Sequence, residues 1–145
     1  MKKLHPLLSV LFLIYWGCED TKEEYDSTIE VMLWGVVYSI ENTTELDLSN
    51  SGLTGEIPPE IGNLTNLTSL RLDNNQLTGE IPSEIGNLTN LTNLGLYGNQ
   101  LSGIIPDEIC DQGDSSPALY YNQLCPPYPS CIEDYVGEQD TSDCD

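Results

Sequence analysis

A repeat of 24 residues constrains this chain of 145 residues more than any other feature of its sequence. The segment Gly-Glu-Ile-Pro-x-Glu-Ile-Gly-Asn-Leu-Thr-Asn-Leu-Thr occurs twice, at 55–68 and at 79–92. One copy cannot bury its own leucines, so successive copies must stack, and about three copies are the minimum for a stable stack. The apolar positions that recur are Leu46, Leu48, Leu53, Ile57 and Ile61, then Leu70, Leu72, Leu77, Ile81 and Ile85, then Leu94, Leu96, Leu101, Ile105 and Ile109.

Each copy carries the signals of one strand followed by one turn. The Leu-x-Leu alternation predicts a short strand, and the Gly-x-Ile-Pro that follows ends it. Pro82 suits the start of a short helical turn over 83–88. The pattern LxxLxLxxNxLtGxIPxxIgxL, which runs from residue 34 to about 110, resembles the plant-type class of leucine-rich repeats. The resemblance implies a short right-handed α/β-type horseshoe solenoid, with a parallel β-sheet on the concave face, helical or 3-10 turns on the convex side, and about three full repeats plus caps.

The flanks of the repeats are suited to shielding the ends of the stack. Trp34 and its neighbours resemble the amino-terminal cap of the plant-type class without its flanking cysteines, so packing must hold this cap together. At the other end, residues 119–132 align with residues 96–109 at an offset of 23 and predict a degenerate fourth coil. The expected apolar cap residues are Val31, Leu33, Trp34, Val36, Tyr38 and Ile40. The segments are a signal peptide (1–17), an acidic tether (18–30), an amino-terminal cap (31–42), three repeats (43–114), and the degenerate fourth repeat with a Cys-rich acidic carboxy-terminal cap (115–145).

The first 17 residues predict export. Lys2 and Lys3 precede an apolar stretch that is shorter than the roughly 20 residues of a membrane-spanning helix. The stretch ends at Gly17-Cys18 and resembles the lipobox of bacterial lipoproteins, although that family usually has leucine where Tyr15 stands and a smaller residue where Trp16 stands. The resemblance implies lipidation of Cys18 and a membrane-anchored lipoprotein of the cell envelope, in the inner or the outer membrane.

The charge of the processed chain excludes nucleic acid as a partner. Removal of residues 1–17 leaves 2 basic and 24 acidic residues, a formal charge of 2 − 24 = −22. Such a charge repels phosphate backbones and favours a soluble monomer.

Four cysteines fall in the carboxy-terminal third: Cys110, Cys125, Cys131 and Cys144. In an exported protein they predict two disulfides, and three pairings are open. The zinc alternative lacks the paired CxxC spacing of structural zinc sites.

The sequence predicts no enzyme, no cofactor and no metal site. The only histidine, His5, lies in the signal segment, so the processed chain has no Ser-His or Cys-His pair. The acidic tail from Glu133 to Asp145 lacks the Asp-x-Asp-x-Asp-Gly spacing of a calcium loop.

The resemblance assigns ligand binding to the concave face. Arginine and tyrosine dominate many interfaces, so Arg71 and Tyr97 are the candidate anchors, whereas Asp47 on the adjacent strand could instead neutralise Arg71. A protein ligand is the leading expectation; the alternatives are a glycan or a surface repeat with no specific ligand. The outward-facing residues are Glu45, Asp47, Ser49, Ser69, Arg71, Asp73, Asn93 and Tyr97.

The resemblance also assigns a structural role to asparagine. Asn75 and Asn99 occupy the buried turn, where this residue bonds the backbone of adjacent coils. The first copy has Ser51 there, so its rung is expected to be weaker.

Overall fold

The computed structural model of the chain describes residues 29–144. The predicted signal segment, Cys18 and nearly all of the acidic tether lie outside the described residues. Within residues 29–144 the repeats stack as successive coils, and the predicted solenoid is confirmed.

The concave sheet consists of one short strand from each full repeat. Leu46, Leu70 and Leu94 lie in register across it and are buried, so the residues on either side of each leucine face outward. The Leu-x-Leu alternation therefore forms the short strand that was predicted. The parallel strands are β3 (Glu45–Asp47), β5 (Ser69–Arg71) and β7 (Asn93–Gly95), and a bridge between Gly95 and Ala118 adds the fourth coil.

A second parallel sheet, which the sequence analysis did not predict, follows the asparagine turn. Its buried residues include Leu77 and Leu101, which point into the same core as the leucines of the concave sheet. Each coil is thus a strand, a turn and a second extended segment. This sheet consists of β4 (Thr54–Gly55), β6 (Gln76–Gly79), β8 (Gln100–Ile104) and β9 (Gln123–Cys125).

Short 3-10 helices close the coils on the convex side and pack closely on one another. A β-carbon added at Gly62 would lie 2.5 Å from the carbonyl oxygen of Glu84, and one at Gly86 would lie 2.7 Å from that of Glu108. Glycine in Ile-Gly-Asn-Leu therefore permits the contact between neighbouring helices. The helices are η1 (Pro59–Asn63), η2 (Ser83–Asn87) and η3 (Asp107–Cys110). No helix in residues 29–144 has the length and apolarity to cross a bilayer.

The amino-terminal cap is an antiparallel hairpin of β1 (Glu30–Leu33) and β2 (Val36–Ser39). Its two-residue turn has positive φ at Trp34 and Gly35, the backbone that a right-handed hairpin twist favours. Val31 and Leu33 are buried on the first coil, but Val36 is 52% exposed and is not a packing residue of the cap as expected. The hairpin also begins at Glu30, one residue inside the predicted tether.

The carboxy-terminal end is held by two disulfides, Cys110–Cys131 and Cys125–Cys144. The structure thereby selects one of the three open pairings and leaves no cysteine of this group for zinc. The first bridge joins the end of η3 to the fourth coil, and the second joins β9 to the last described residue.

A column of buried side-chain amides joins the coils through their backbone groups. Asn75 donates to the carbonyl oxygens of Leu48 and Leu72 at 2.9 and 2.8 Å. Its amide oxygen accepts from the N–H groups of Ser51 and Leu53, both at 3.0 Å. Three of these four partners belong to the preceding coil. Coil one is therefore joined to coil two by Asn75, whereas the Ser51 hydroxyl donates only to Ser49 O of its own coil, and the weaker rung at Ser51 stays a prediction.

The later coils are also closed by an amide from the segment that follows them. Asn99 and Asn122 repeat the arrangement one and two coils later. After the fourth coil the amide comes from Gln139, which donates to the carbonyl oxygen of Leu119 at 2.9 Å and accepts from the N–H of Leu124 at 3.2 Å. Because each amide serves the coil before it, the last coil needs a residue beyond the repeat pattern.

Candidate functional site

The concave sheet brings the predicted face residues into three columns at matching strand positions. One column holds Asp47, Arg71 and Gly95, and the outer column holds Glu45, Ser69 and Asn93. The third column, Ser49, Asp73 and Tyr97, lies two residues beyond the ends of the strands. Glu45, Asp47 and Asn93 are exposed, and Ser49, Ser69, Arg71 and Tyr97 are half-buried.

Asp73 differs from the prediction, because it is only 1% exposed. Its carboxylate reaches over Gly95 of the next strand, where an added β-carbon would lie 2.9 Å from Asp73 Oδ1. Arg71 covers it from the other side, with Arg71 Nε at 3.3 Å from Oδ1 and Nη2 at 3.4 Å from Oδ2. Asp73 is therefore a support for Arg71 and not part of the accessible face.

Arg71 is held by two carboxylates. Besides Asp73, it donates from Nη1 to Asp47 Oδ2 across the strand gap at 3.1 Å, as the spacing of one repeat predicted. The hydrogen bond and charge of Asp73, then the charge of Asp47, raise the pKa of the guanidinium above its ordinary value. Its charge is compensated, so the guanidinium offers a fixed, half-exposed planar surface and not an uncompensated positive charge.

Asp47 shows how local hydrogen bonds stabilise the acidic face. Ser49 donates to Asp47 Oδ1 from its hydroxyl at 2.6 Å and from its N–H at 3.0 Å, and these bonds, with Arg71, hold the pKa of Asp47 below its ordinary 3.8. A carboxyl with a lowered pKa in the folded state contributes stability above its unfolded pKa, and this contribution is lost as the pH falls through the folded value.

We expect Ser49→Ala to raise the pKa of Asp47 towards the ordinary value, because the hydroxyl is the largest cause of the shift. Carboxyl carbon NMR shifts recorded from about pH 6 to about pH 2 would measure it. Ser69→Ala is the matched control, since Ser69 lies opposite Glu45 and not Asp47. An unchanged pKa in Ser49→Ala would contradict this account of the Asp47 environment.

A group of three tyrosines occupies the carboxy-terminal half of the concave side. The rings of Tyr97 and Tyr120 stack with centroids 4.8 Å apart, and Tyr121 meets Tyr120 edge to face at 5.1 Å. Asn74 donates to the hydroxyl of Tyr97 at 3.3 Å. Tyr120 and Tyr121 were not among the predicted face residues, although the offset of 23 places Tyr120 directly after Tyr97 in the column.

Comparisons with known proteins agree with this architecture. A family model described as leucine rich repeat matches residues 29–109. The structure of a plant peptide hormone receptor, RGFR1 in complex with RGF2, is 44% identical and covers 61% of this chain and 14% of that chain, with a TM-score of 0.58. The Arabidopsis receptor kinase HAESA, in complex with the peptide hormone IDA and the co-receptor SERK1, is 39% identical and covers 59% and 15%, with a TM-score of 0.56.

The ectodomain of BIR2 from Arabidopsis thaliana is 34% identical, with a TM-score of 0.57, and the match covers 66% of this chain and 54% of that ectodomain. The chain thus spans less than two thirds of the length of each of these three structures. No curated protein matches the chain.

Proposed function

Because the chain belongs to the leucine-rich repeat family, we propose that it is a non-enzymatic binding module that recognises a protein or peptide through its concave face. The observation that carries the proposal is a row of exposed and half-exposed side chains across three strands that the core does not need. Similar solved structures include a plant peptide hormone receptor in complex with RGF2 and a receptor kinase in complex with a peptide hormone and a co-receptor.

The chemistry of the face selects the kind of partner. Of the 24 acidic residues of the chain, six lie outside residues 29–144, which leaves 18 against one basic residue, Arg71. Since Arg71 is already paired with Asp47 and Asp73, an anionic partner would meet uncompensated negative charge. The partner is a polypeptide with polar or basic groups, and Tyr97 with the planar face of Arg71 is its anchor.

A photo-crosslinking amino acid in place of Asn93 tests this proposal in cells that express the chain. Asn93 is exposed on the concave sheet, and the matched control is the exposed Asn87 at the end of η2. We expect a discrete polypeptide adduct from position 93 and none from position 87. Arg71→Ala with Tyr97→Ala should remove the adduct. An adduct that is equal at both positions, or that survives the double substitution, would refute the concave site.

The location of the module is a second part of the proposal. The two disulfides support an oxidising, extracytoplasmic compartment. We infer that Cys18 carries diacylglycerol and that the acidic segment after it separates the module from the membrane of the cell envelope. The support is the lipobox-like sequence that ends at Cys18.

Replacement of Cys18 by serine is expected to move the protein from the membrane fraction to the soluble fraction, because the acyl chains would be lost. Intact-mass analysis of the membrane-extracted parent protein should show the acyl additions together with two disulfides. A parent mass without acyl groups would contradict the anchor and would leave the concave-face proposal unaffected.

A further inference from the structure

Tyr121 occupies a backbone position where other coils have asparagine or glycine. The equivalent residues Asn50, Asn74 and Gly98 all have positive φ, as does Tyr121 at +58°. Asparagine and glycine tolerate this left-handed backbone, whereas a bulky aromatic residue there is rare. The tyrosine gains little burial from the position, since it is 61% exposed. Its ring is therefore presented to solvent in a backbone conformation that does not favour it.

A hollow of about 470 Å³ lies beside this ring, at the end of the amide column. Its far wall is the segment from Glu138 to Asp140, which runs along the fourth coil: Tyr121 N–H donates to the carbonyl of Glu138 at 2.7 Å, and Asp140 N–H donates to that of Asn122 at 2.8 Å. Gln139 anchors the wall in the amide column, and the Cys125–Cys144 disulfide closes it. Backbone hydrogen bonds, the Gln139 amide and a disulfide therefore fix this wall against the fourth coil.

Several polar groups of the hollow have spare bonding capacity. Within residues 29–144 the side chains of Gln123 and Glu138, which line the hollow, make no side-chain hydrogen bond, and Asp140 uses Oδ1 to accept from Ser142 N–H at 3.1 Å. The hollow thus combines one exposed aromatic ring, carboxylate acceptors, and an amide that both donates and accepts.

We propose that this hollow is a saccharide-binding site in which a sugar ring packs its C–H face on Tyr121 and donates hydroxyl hydrogen bonds to Glu138, Asp140 and Gln123. A neutral polyhydroxylated ring can contact the aromatic ring and each of the polar groups, whereas an anion would be repelled by the two carboxylates. The volume lies in the range of sites for small ring compounds. Tyr121 contacts the Tyr97 anchor only through Tyr120, and neither Arg71 nor Tyr97 lines the hollow, so the site does not depend on the proposed protein partner.

Titration of the oxidised full chain with cellotriose, maltotriose and chitotriose tests the proposal by saturation-transfer NMR, with tetralysine as the cationic probe. We expect at least one trisaccharide to bind. Tyr121→Asn should weaken its binding about tenfold, whereas Tyr121→Phe should keep most of it, since the ring supplies the contact. Tyr135→Asn is the matched control, because Tyr135 is also exposed, at 49%, and does not line the hollow.

Thermal unfolding separates binding from folding. Tyr121→Asn should melt at or above the temperature of the parent chain, since asparagine adopts the left-handed backbone more readily. If that variant melts lower, Gln123→Ala with Glu138→Gln provides the second test and should weaken binding without changing the ring. Absence of trisaccharide binding, binding of tetralysine alone, or equal affinity in the Tyr121→Asn and Tyr135→Asn variants would overturn the site.

Discussion

Replacing Asn99 by alanine is expected to lower the free energy of unfolding by about 3 kcal/mol, because the buried N–H of Leu77 loses its acceptor, at a cost of roughly 1 to 3 kcal/mol, and two buried carbonyl oxygens each lose one of two donors. Asn99 donates to the carbonyl oxygens of Leu72 and Leu96 at 3.0 and 2.9 Å and accepts from the N–H of Leu77 at 3.1 Å. Alanine supplies none of these bonds, and the two carbonyl oxygens keep only Asn75 and Asn122 as their donors.

Urea unfolding followed by circular dichroism would measure the change, with Asn93→Ala as the matched control. The Asn93 amide is exposed and makes one side-chain bond, to Ser69 Oγ at 3.3 Å, so its removal should cost less than about 0.5 kcal/mol. A domain of this kind has a total stability of about 5 to 15 kcal/mol, so the Asn99 variant should lose more than half of its stability at the low end of that range. A cost equal to that of the control would show that the amide column does not hold the coils together.

The amide column also shows which features of the fold the repeat pattern predicts and which it does not. Asn75 and Asn99 follow from the period of 24, as does the buried face of each concave strand. The direction of the column does not follow from the period, because the sequence does not say whether an amide bonds mainly to the backbone of its own coil or of the coil before. Because each amide serves the coil before it, Asn75 closes the coil that contains Ser51, and Gln139 closes the fourth coil.

The concave site was predictable only for side chains that meet at the same position of successive repeats. The pairing of Asp47 with Arg71 has this property, because both occupy the same position one repeat apart. Asp73 does not, since its burial depends on the absence of a side chain at Gly95 in the following coil. A rule that assigns one orientation to each repeat position misses such a contact.

The repeat pattern predicts less of the carboxy-terminal end. Its offset of 23 predicts the fourth coil and, through it, the position of Tyr120. The segment that carries Glu138 and Gln139 belongs to no repeat, and its place beside Tyr121 is fixed by backbone bonds and the Cys125–Cys144 bridge. Four cysteines allow three pairings, so neither the bridge nor the hollow could be derived from spacing.

Removal of both disulfides is expected to have the largest effect on this end. In the chain-entropy model each bridge, with sequence separations of 21 and 19, contributes about 3 kcal/mol, so the loss of both costs about 6 kcal/mol if the effects add. The variant would carry serine at all four cysteine positions, and its unfolding in urea would be compared with that of the oxidised parent.

Each bridge should stabilise a different part of the carboxy-terminal end, so hydrogen exchange in variants that lack one bridge can separate the two effects. Cys125→Ser with Cys144→Ser frees the segment that carries Gln139, so hydrogen exchange should rise at the N–H of Leu124, whose acceptor is the Gln139 amide. Cys110→Ser with Cys131→Ser should instead raise exchange in the fourth coil around Ile132. Coils one and two are closed by Asn75 and Asn99, which lie outside the segments that the bridges hold, so exchange in these two coils should change less. Uniform loss of protection from Leu46 to Leu124 in either variant would show that the solenoid unfolds as one unit and that the bridges stabilise the whole stack.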